Sequence, residues 1–246
     1  MTASLPMYDT TTTRAANDRL WRLIRQQLRH GPVDLDRQSD PHDTWNDPGL
    51  VLSQTCGLPY RSVLHDSVAL VGTPDYRVRG CPQGYYKSYV VVRKDDPRRD
   101  IGDFREAVLA RNDVRSQSGW AAIEGYLAEN DVGFSFVGHT LDTGSHLRAA
   151  EAVAAGRADI AALDAVTWTL IKRESAVAGQ LRVLLSTRPT PGLPFITSAG
   201  NDVDRLFDAI ASAIPALSGR DRGRLLLKGI VRIPKEAYLA EPLPPE

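Results

Sequence analysis

The chain has 246 residues, 30 Lys plus Arg against 30 Asp plus Glu, and 42% hydrophobic residues, enough to fill one sizeable core or two smaller ones. Zero formal net charge argues against a nucleic-acid or anionic-lipid surface, because such partners are held mainly by clustered Lys and Arg. No run of about 18 apolar residues occurs, so no membrane-spanning helix is expected. Residues 1–20 lack the basic start, apolar middle and small-residue cleavage site of a secretory signal. As it stands, the sequence is expected in the cytoplasm, or in the periplasm if its start is processed or misassigned. Cys56 and Cys81 alone cannot build a tetrahedral zinc site, and their redox state is left open.

In chain order, strands alternate with helices, the pattern of an α/β protein with mostly parallel sheets. Ser4–Tyr8 is expected as a first strand. Asn17 or Asp18 is expected to cap a helix through Leu20, Trp21, Ile24 and Leu28, with Gly31 ending it. The short apolar runs 33–35, 50–52 and 68–71 are expected as buried strands, and Tyr85–Arg93 as the longest strand. A helical segment near Phe104 follows. Val114 then leads into Ser116-Gln117-Ser118-Gly119 and a helix through Ile123 and Leu127. Phe134–Val137 is expected as a strand. Thr143-Gly144-Ser145-His146 opens an Ala-rich helix stopping at Gly156, followed by a strand over 159–163, a helix over 165–172 and a strand over 181–186. Pro189, Pro191 and Pro194 mark a stiff connection. One more short strand and two helices complete the chain. Two α/β blocks of this kind predict two lobes: residues 88–186 as an inserted lobe, and residues 1–87 with 187–246 as the other.

The Ser116–Gly119 and Thr143–His146 turns carry the most chemistry. Each is expected between a strand and a helix, where unused N–H groups and the positive end of the helix dipole can hold an oxyanion without Lys or Arg. The bland reading is that Ser and Thr are simply good N-caps. Two such turns in one block point instead to a ligand at the carboxyl ends of parallel strands. His146 would add a ring N–H, and a charge at mildly acidic pH. Ser145 and His146 point about 100° apart on a helix, so they do not form a nucleophile and base, and no Gly-x-Ser-x-Gly elbow exists. Asp164, after an apolar strand, either caps the next helix or faces the ligand. Gln54 and Thr55 either satisfy their turn or reach the ligand, while Tyr8 and Tyr86 stand near strand ends. No Walker loop, dinucleotide fingerprint or zincin motif is present, and neither a metal nor a cofactor is expected.

Several motifs in order carry a resemblance over nearly the whole chain. They are Met7-Tyr8-Asp9, Gln54-Thr55-Cys56-Gly57-Leu58-Pro59-Tyr60, Gly84-Tyr85-Tyr86-Lys87-Ser88, Ser116-Gln117-Ser118-Gly119, Gly144-Ser145-His146, Ala158 through Asp164, and Pro191-Gly192-Leu193-Pro194. With these the chain resembles the phosphate/phosphonate-type substrate-binding proteins of ABC transporters. The resemblance implies a two-lobe type 2 periplasmic-binding-protein-like fold, with a ligand cleft between lobes joined by two crossover segments. It further implies that Ser116, Gln117, Ser118 and His146 contact the phosphorus oxyanion, that Tyr8 and Tyr86 close around it, and that Asp164 lies near the variable part of the ligand. Gln54, Thr55, Ser88, Gly119, Gly144 and Ser145 complete the expected site. The expected partners are a small phosphate, phosphite or phosphonate anion and an ABC transporter permease, with no nucleic acid. An enzyme or a stand-alone sensor of the same fold is the alternative.

Overall fold

A computed structural model of the chain describes residues 1–132 and 137–244. In chain order the strands are β1 (Thr2–Ser4), β2 (Leu50–Gln54), β3 (Val68–Asp75), β4 (Tyr85–Tyr86), β5 (Ser88–Arg93) and β6 (Ala107–Arg111), then β7 (Val137–Asp142), β8 (Ile160–Asp164), β9 (Leu181–Ser186), β10 (Thr190–Pro191), β11 (Phe195–Ser198) and β12 (Gly229–Val231). The helices are α1 (Arg14–Leu28), α2 (Pro41–Trp45), α3 (Gly57–Pro59), α4 (Ala122–Glu129), α5 (His146–Ala154), α6 (Ala165–Glu174), α7 (Val203–Ala216), α8 (Gly219–Leu225) and α9 (Lys235–Leu239). The chain forms two compact units, one of Met1–Tyr85 with Pro191–Glu241, the other of Tyr86–Thr190 with the tail from Pro242.

In the first unit the sheet order is β1-β2-β11-β3-β12. Only β1 and β2 run parallel, while β11 lies antiparallel to both β2 and β3. On one side of this sheet α1 places Leu20, Trp21 and Ile24 against Ile210 and Ile214 of α7. Trp45, Tyr60, Leu64 and Tyr238 form a separate core cluster with Leu50 and Ile196. The Tyr238 hydroxyl is held by Thr73 Oγ1 at 2.6 Å and by the Gly192 carbonyl at 2.9 Å.

In the second unit the order is β7-β6-β8-β5-β9. The three neighbouring strands β7, β6 and β8 are parallel, and β5 runs against β8 and β9. Small side chains let α5 sit close on this sheet: Ala149, Ala150, Ala152 and Val153 are all fully buried. Ile123 and Leu127 of α4 pack with Leu109 and Val92 in a second cluster.

Several expectations are corrected. The sheets are mixed rather than mostly parallel, because β5 and β11 each run against their neighbours. The first strand is Thr2–Ser4, ending before Pro6, which has no N–H to give a ladder, and Met7–Tyr8 is a turn. Residues 33–35 form no strand: Val33 follows Pro32 and is 70% exposed. Helix α1 begins at Arg14, and Asn17 lies inside it donating to Asp9 Oδ1 at 2.9 Å. That helix ends at Arg29, whose left-handed backbone serves as the C-cap in place of Gly31. The Tyr85–Arg93 run is interrupted at Lys87, and β6 replaces an unassigned stretch. Residues 134–136 of the expected strand at 134–137 lie outside the described residues, and Val137 opens β7.

Candidate functional site

Parallel pairing puts the carboxyl ends of β6, β7 and β8 on one edge of the second unit's sheet, the edge where α/β sheets bind ligands. Ser88, the first residue of β5, pairs with Asp164, the last of β8, so Ser88 joins the same edge. Four segments therefore meet there: Ser88, the stretch from Asn112 to Gly119 after β6, the Thr143–His146 turn after β7, and Asp164.

The Ser116–Gly119 turn is built locally. Ser116 is an N-cap in extended conformation, and its Oγ accepts from the Gly119 N–H at 2.9 Å. A π-helical turn over Gln117–Ala121 leads directly into α4. Gln117 and Ser118 are buried there. The Ser88 hydroxyl donates to the Ser118 carbonyl at 2.8 Å and ties the turn to β5. Gly119 makes room for its neighbours: a Cβ there would displace Asn112 Oδ1 and stand 3.2 Å from His146 Cε1.

The second turn is equally local. Gly144 takes φ +78°, a left-handed conformation that favours glycine, and Thr143 Oγ1 donates to the Arg111 carbonyl at 2.9 Å. Ser145 caps α5, its Oγ accepting from the Arg148 N–H at 3.2 Å. His146, the first residue of α5, thereby places Nε2 2.9 Å from Ser118 Oγ. The two turns singled out in the sequence are thus joined by a hydrogen bond.

Burial holds the His146 pKa below the ordinary imidazole range, opposed by the Asp164 carboxylate and the Ala162 carbonyl. The ring is therefore neutral at pH 7. Its Nδ1 is buried with no hydrogen-bond partner among the described residues. Asp164 Oδ2 lies 3.9 Å from Nε2. The Asp164 carboxylate is itself the N-cap of α6, with Oδ1 accepting from the N–H groups of Val166 at 2.7 Å and Thr167 at 2.9 Å, and Oδ2 accepting from the Thr167 hydroxyl.

Arg111 and Arg148 stand near this edge, and the exposed Arg148 places a guanidinium nitrogen 3.8 Å from where a Cβ on Gly144 would stand. Arg111 bonds Asp142 Oδ1 at 2.5 Å and lies over the Trp120 ring at 4.6 Å. The buried part of the edge offers neutral donors: hydroxyls, a ring nitrogen and the N–H groups of a helix start. Among the described residues no group of three or more His, Cys, Asp or Glu is placed to hold a metal ion.

Of the residues expected from sequence, Ser88, Ser116, Gln117, Ser118, Gly119, Gly144, Ser145, His146 and Asp164 are gathered at this edge. Tyr8, Gln54 and Thr55 belong to the first unit, where the Tyr8 ring meets Tyr76 edge-on at 5.2 Å. There Gln54 Nε2 donates to the Leu193 carbonyl at 3.1 Å and to the Tyr76 hydroxyl at 3.3 Å. Thr55 is fully buried, its N–H bonded to the Pro194 carbonyl at 3.0 Å. Tyr86 is buried in β4. Asn112 and Tyr76 escaped the sequence reading. The apolar run Ala107–Ala110 just before Arg111 was the available signal for β6, and with it for Asn112 at a strand end.

A family model described as "ABC transporter, phosphonate, periplasmic substrate-binding protein" matches residues 55–235. No curated protein matches significantly. Among solved structures, PhnD1 from Prochlorococcus marinus in complex with methylphosphonate is similar with TM-score 0.76 at 14% identity, over 96% of this chain and 93% of that one. A binding protein component of an ABC phosphonate transporter from Pseudomonas aeruginosa gives 0.73 at 15%, over 97% of this chain and 82% of that one. The periplasmic aliphatic sulphonate binding protein SsuA from Escherichia coli gives 0.64 at 13%, over 91% and 76%. At these identities the structural likeness shows the fold, which is that of periplasmic binding proteins.

Proposed function

The chain belongs to the periplasmic phosphonate substrate-binding proteins of ABC transporters, and from that premise we propose that it is a non-enzymatic receptor whose Ser116–Gly119 turn and His146 hold the head of a small phosphonate or related phosphorus oxyanion. The observation that carries this reading is the 2.9 Å contact between Ser118 Oγ and His146 Nε2. It brings a hydroxyl and a ring nitrogen together beside a helix start, at the carboxyl ends of parallel strands. An anion there replaces one internal hydrogen bond with several donors aimed at its oxygens, and the helix dipole adds favourable charge. Nothing in this set performs chemistry on the ligand. His146 has no nucleophile to activate beyond Ser118, and Ser118 lies in a helical first turn rather than on a strained elbow.

The family resemblance supports Tyr8 and Tyr86 as the residues that close around the anion, while Gln54 and Thr55 either satisfy their turn or reach the ligand. Asp164 enters as the residue that fixes the start of α6 and bears electrostatically on His146. The family is periplasmic, and the reading takes the periplasm as the working compartment and a transporter permease as the partner of the loaded receptor. No helix among the described residues is long and apolar enough to cross a membrane.

Titration calorimetry of the purified chain with methylphosphonate, phosphite, phosphate and sulfate tests the reading. Saturable binding of a phosphorus oxyanion, weakened by Ser118→Ala and by His146→Ala, is the expected result. Binding that neither substitution alters would move the site away from these turns.

A further inference from the structure

We infer that Asn112 is a specificity-determining residue of this site, whose side-chain oxygen accepts a hydrogen bond from a protonated oxygen of the bound anion and so favours phosphonates over sulfonates. The inference rests on the reading of the Ser116–Gly119 turn as the anion site.

Asn112 directly follows β6, the middle of the three parallel strands, so the fold places it at the carboxyl edge of the sheet. Its carboxamide packs on Gly119, with Asn112 Cγ 3.0 Å and His146 Cε1 3.2 Å from the position a Cβ on Gly119 would take. The Asn112 side chain and the His146 ring thus both pack on Gly119. Asn112 Oδ1 is buried and has no hydrogen-bond partner among the described residues. A buried acceptor left without a donor costs free energy, roughly 1–3 kcal/mol, so the position asks for a donor that arrives with the ligand.

The neighbouring acceptor is already engaged. Both oxygens of Asp164 are taken up by the start of α6, which leaves the Asn112 oxygen as the uncommitted acceptor beside the turn. The surrounding groups supply donors for the ligand's bare oxygens: the Ser118 hydroxyl, the His146 ring and the helix N–H groups. One acceptor among several donors matches an anion that keeps one proton. A phosphonate monoanion, with one P–OH, has that pattern. A sulfonate of the same shape and charge has three bare oxygens and no donor, and would leave Asn112 Oδ1 unsatisfied.

Calorimetry at mildly acidic pH, where methylphosphonate retains one proton, compares methylphosphonate with methanesulfonate on the intact chain and on Asn112→Ala and Asn112→Asp. The unmodified chain is expected to prefer methylphosphonate by roughly 10-fold or more, the worth of one hydrogen bond to a charged ligand. In Asn112→Ala the preference should shrink to about 3-fold or less, with methanesulfonate affinity held or improved. Asn112→Asp keeps an acceptor and adds a charge, so it should weaken both ligands yet keep or widen the preference, an effect a merely structural role would not produce. If the intact chain binds methylphosphonate but Asn112→Ala leaves the ratio unchanged, this inference falls and the anion site stands. An intact chain that binds neither anion removes the site reading itself. Should Asn112→Ala fail to fold, a preference lost in a folded Asn112→Asp overturns the inference equally.

Discussion

Ser118 Oγ and His146 Nε2 are 2.9 Å apart although 28 residues separate them in the chain. Each sits in the first turn of a helix that follows a parallel strand, and the adjacency of β6 and β7 brings those turns together. On the proposed reading, an anion takes the place of this contact.

Ser118→Ala and His146→Ala should each weaken methylphosphonate binding about 10- to 100-fold, the scale of a lost hydrogen bond to a charged group. On the proposed reading both groups serve one ligand, so the double variant should lose less than the sum of the singles. Calorimetry on the three variants measures this. Without ligand, Ser118→Ala should melt within a few degrees of the unmodified chain, whereas His146→Ala, which empties the place of a largely buried ring, should melt lower.

The His146 ring should titrate below the usual imidazole range in the free protein and higher once an anion is bound. Burial disfavours the imidazolium in the free state, whereas a neighbouring anion favours it. Because the folded pKa is depressed, the neutral ring's contribution to stability is present above about pH 6.5 and is lost as pH falls through the folded value. Ring-proton NMR shifts followed against pH, with and without methylphosphonate, give both values. An anion that leaves the titration unmoved would take His146 out of the site.

Replacing Asp164 separates its cap from its charge. Asp164→Ala removes the acceptor for two N–H groups of α6 and should cost about 1–2 kcal/mol, whereas Asp164→Asn keeps a capping oxygen and should cost less than about 1 kcal/mol. Asn also removes the negative charge 3.9 Å from His146, so the ring's pKa should fall further in that variant. Urea unfolding and the same NMR titration check the two effects independently.

Glu124 provides a pH-dependent stability test away from the ligand. It lies in α4 with 4% of its surface exposed, and its Oε2 is buried with no hydrogen-bond partner among the described residues. Burial pushes its carboxyl up to about 7, with Arg111 opposing. The folded state therefore binds this proton more tightly than the unfolded chain. Its contribution is full below about pH 4.5 and is lost as pH rises through about 7. Glu124→Gln should stabilise the protein by about 2 kcal/mol near pH 8 and change little near pH 4, as read by urea midpoints at the two pH values.

The sequence by itself determined the features made by near neighbours in the chain. Ser116, Ser145 and Asp164 each accept from an N–H two or three residues ahead, so residue type and spacing suffice to place these caps. The stop at Gly156 and the left-handed Gly144 are local in the same way. Tertiary structure decided everything that depends on strand order and direction. Ala107–Arg111 is apolar enough for a strand but became one only by pairing with β7 and β8, and Asn112 acquired its place from that pairing. Residues 33–35 show the converse: Val33 and Leu35 flank the charged Asp34, and the segment stays out of the sheets. The Ser118 to His146 contact, the closeness of Asp164 and the burial of Glu124 all join or enclose residues from separate elements. Such relationships follow from which elements pack together, and one chain's local preferences do not encode them residue by residue.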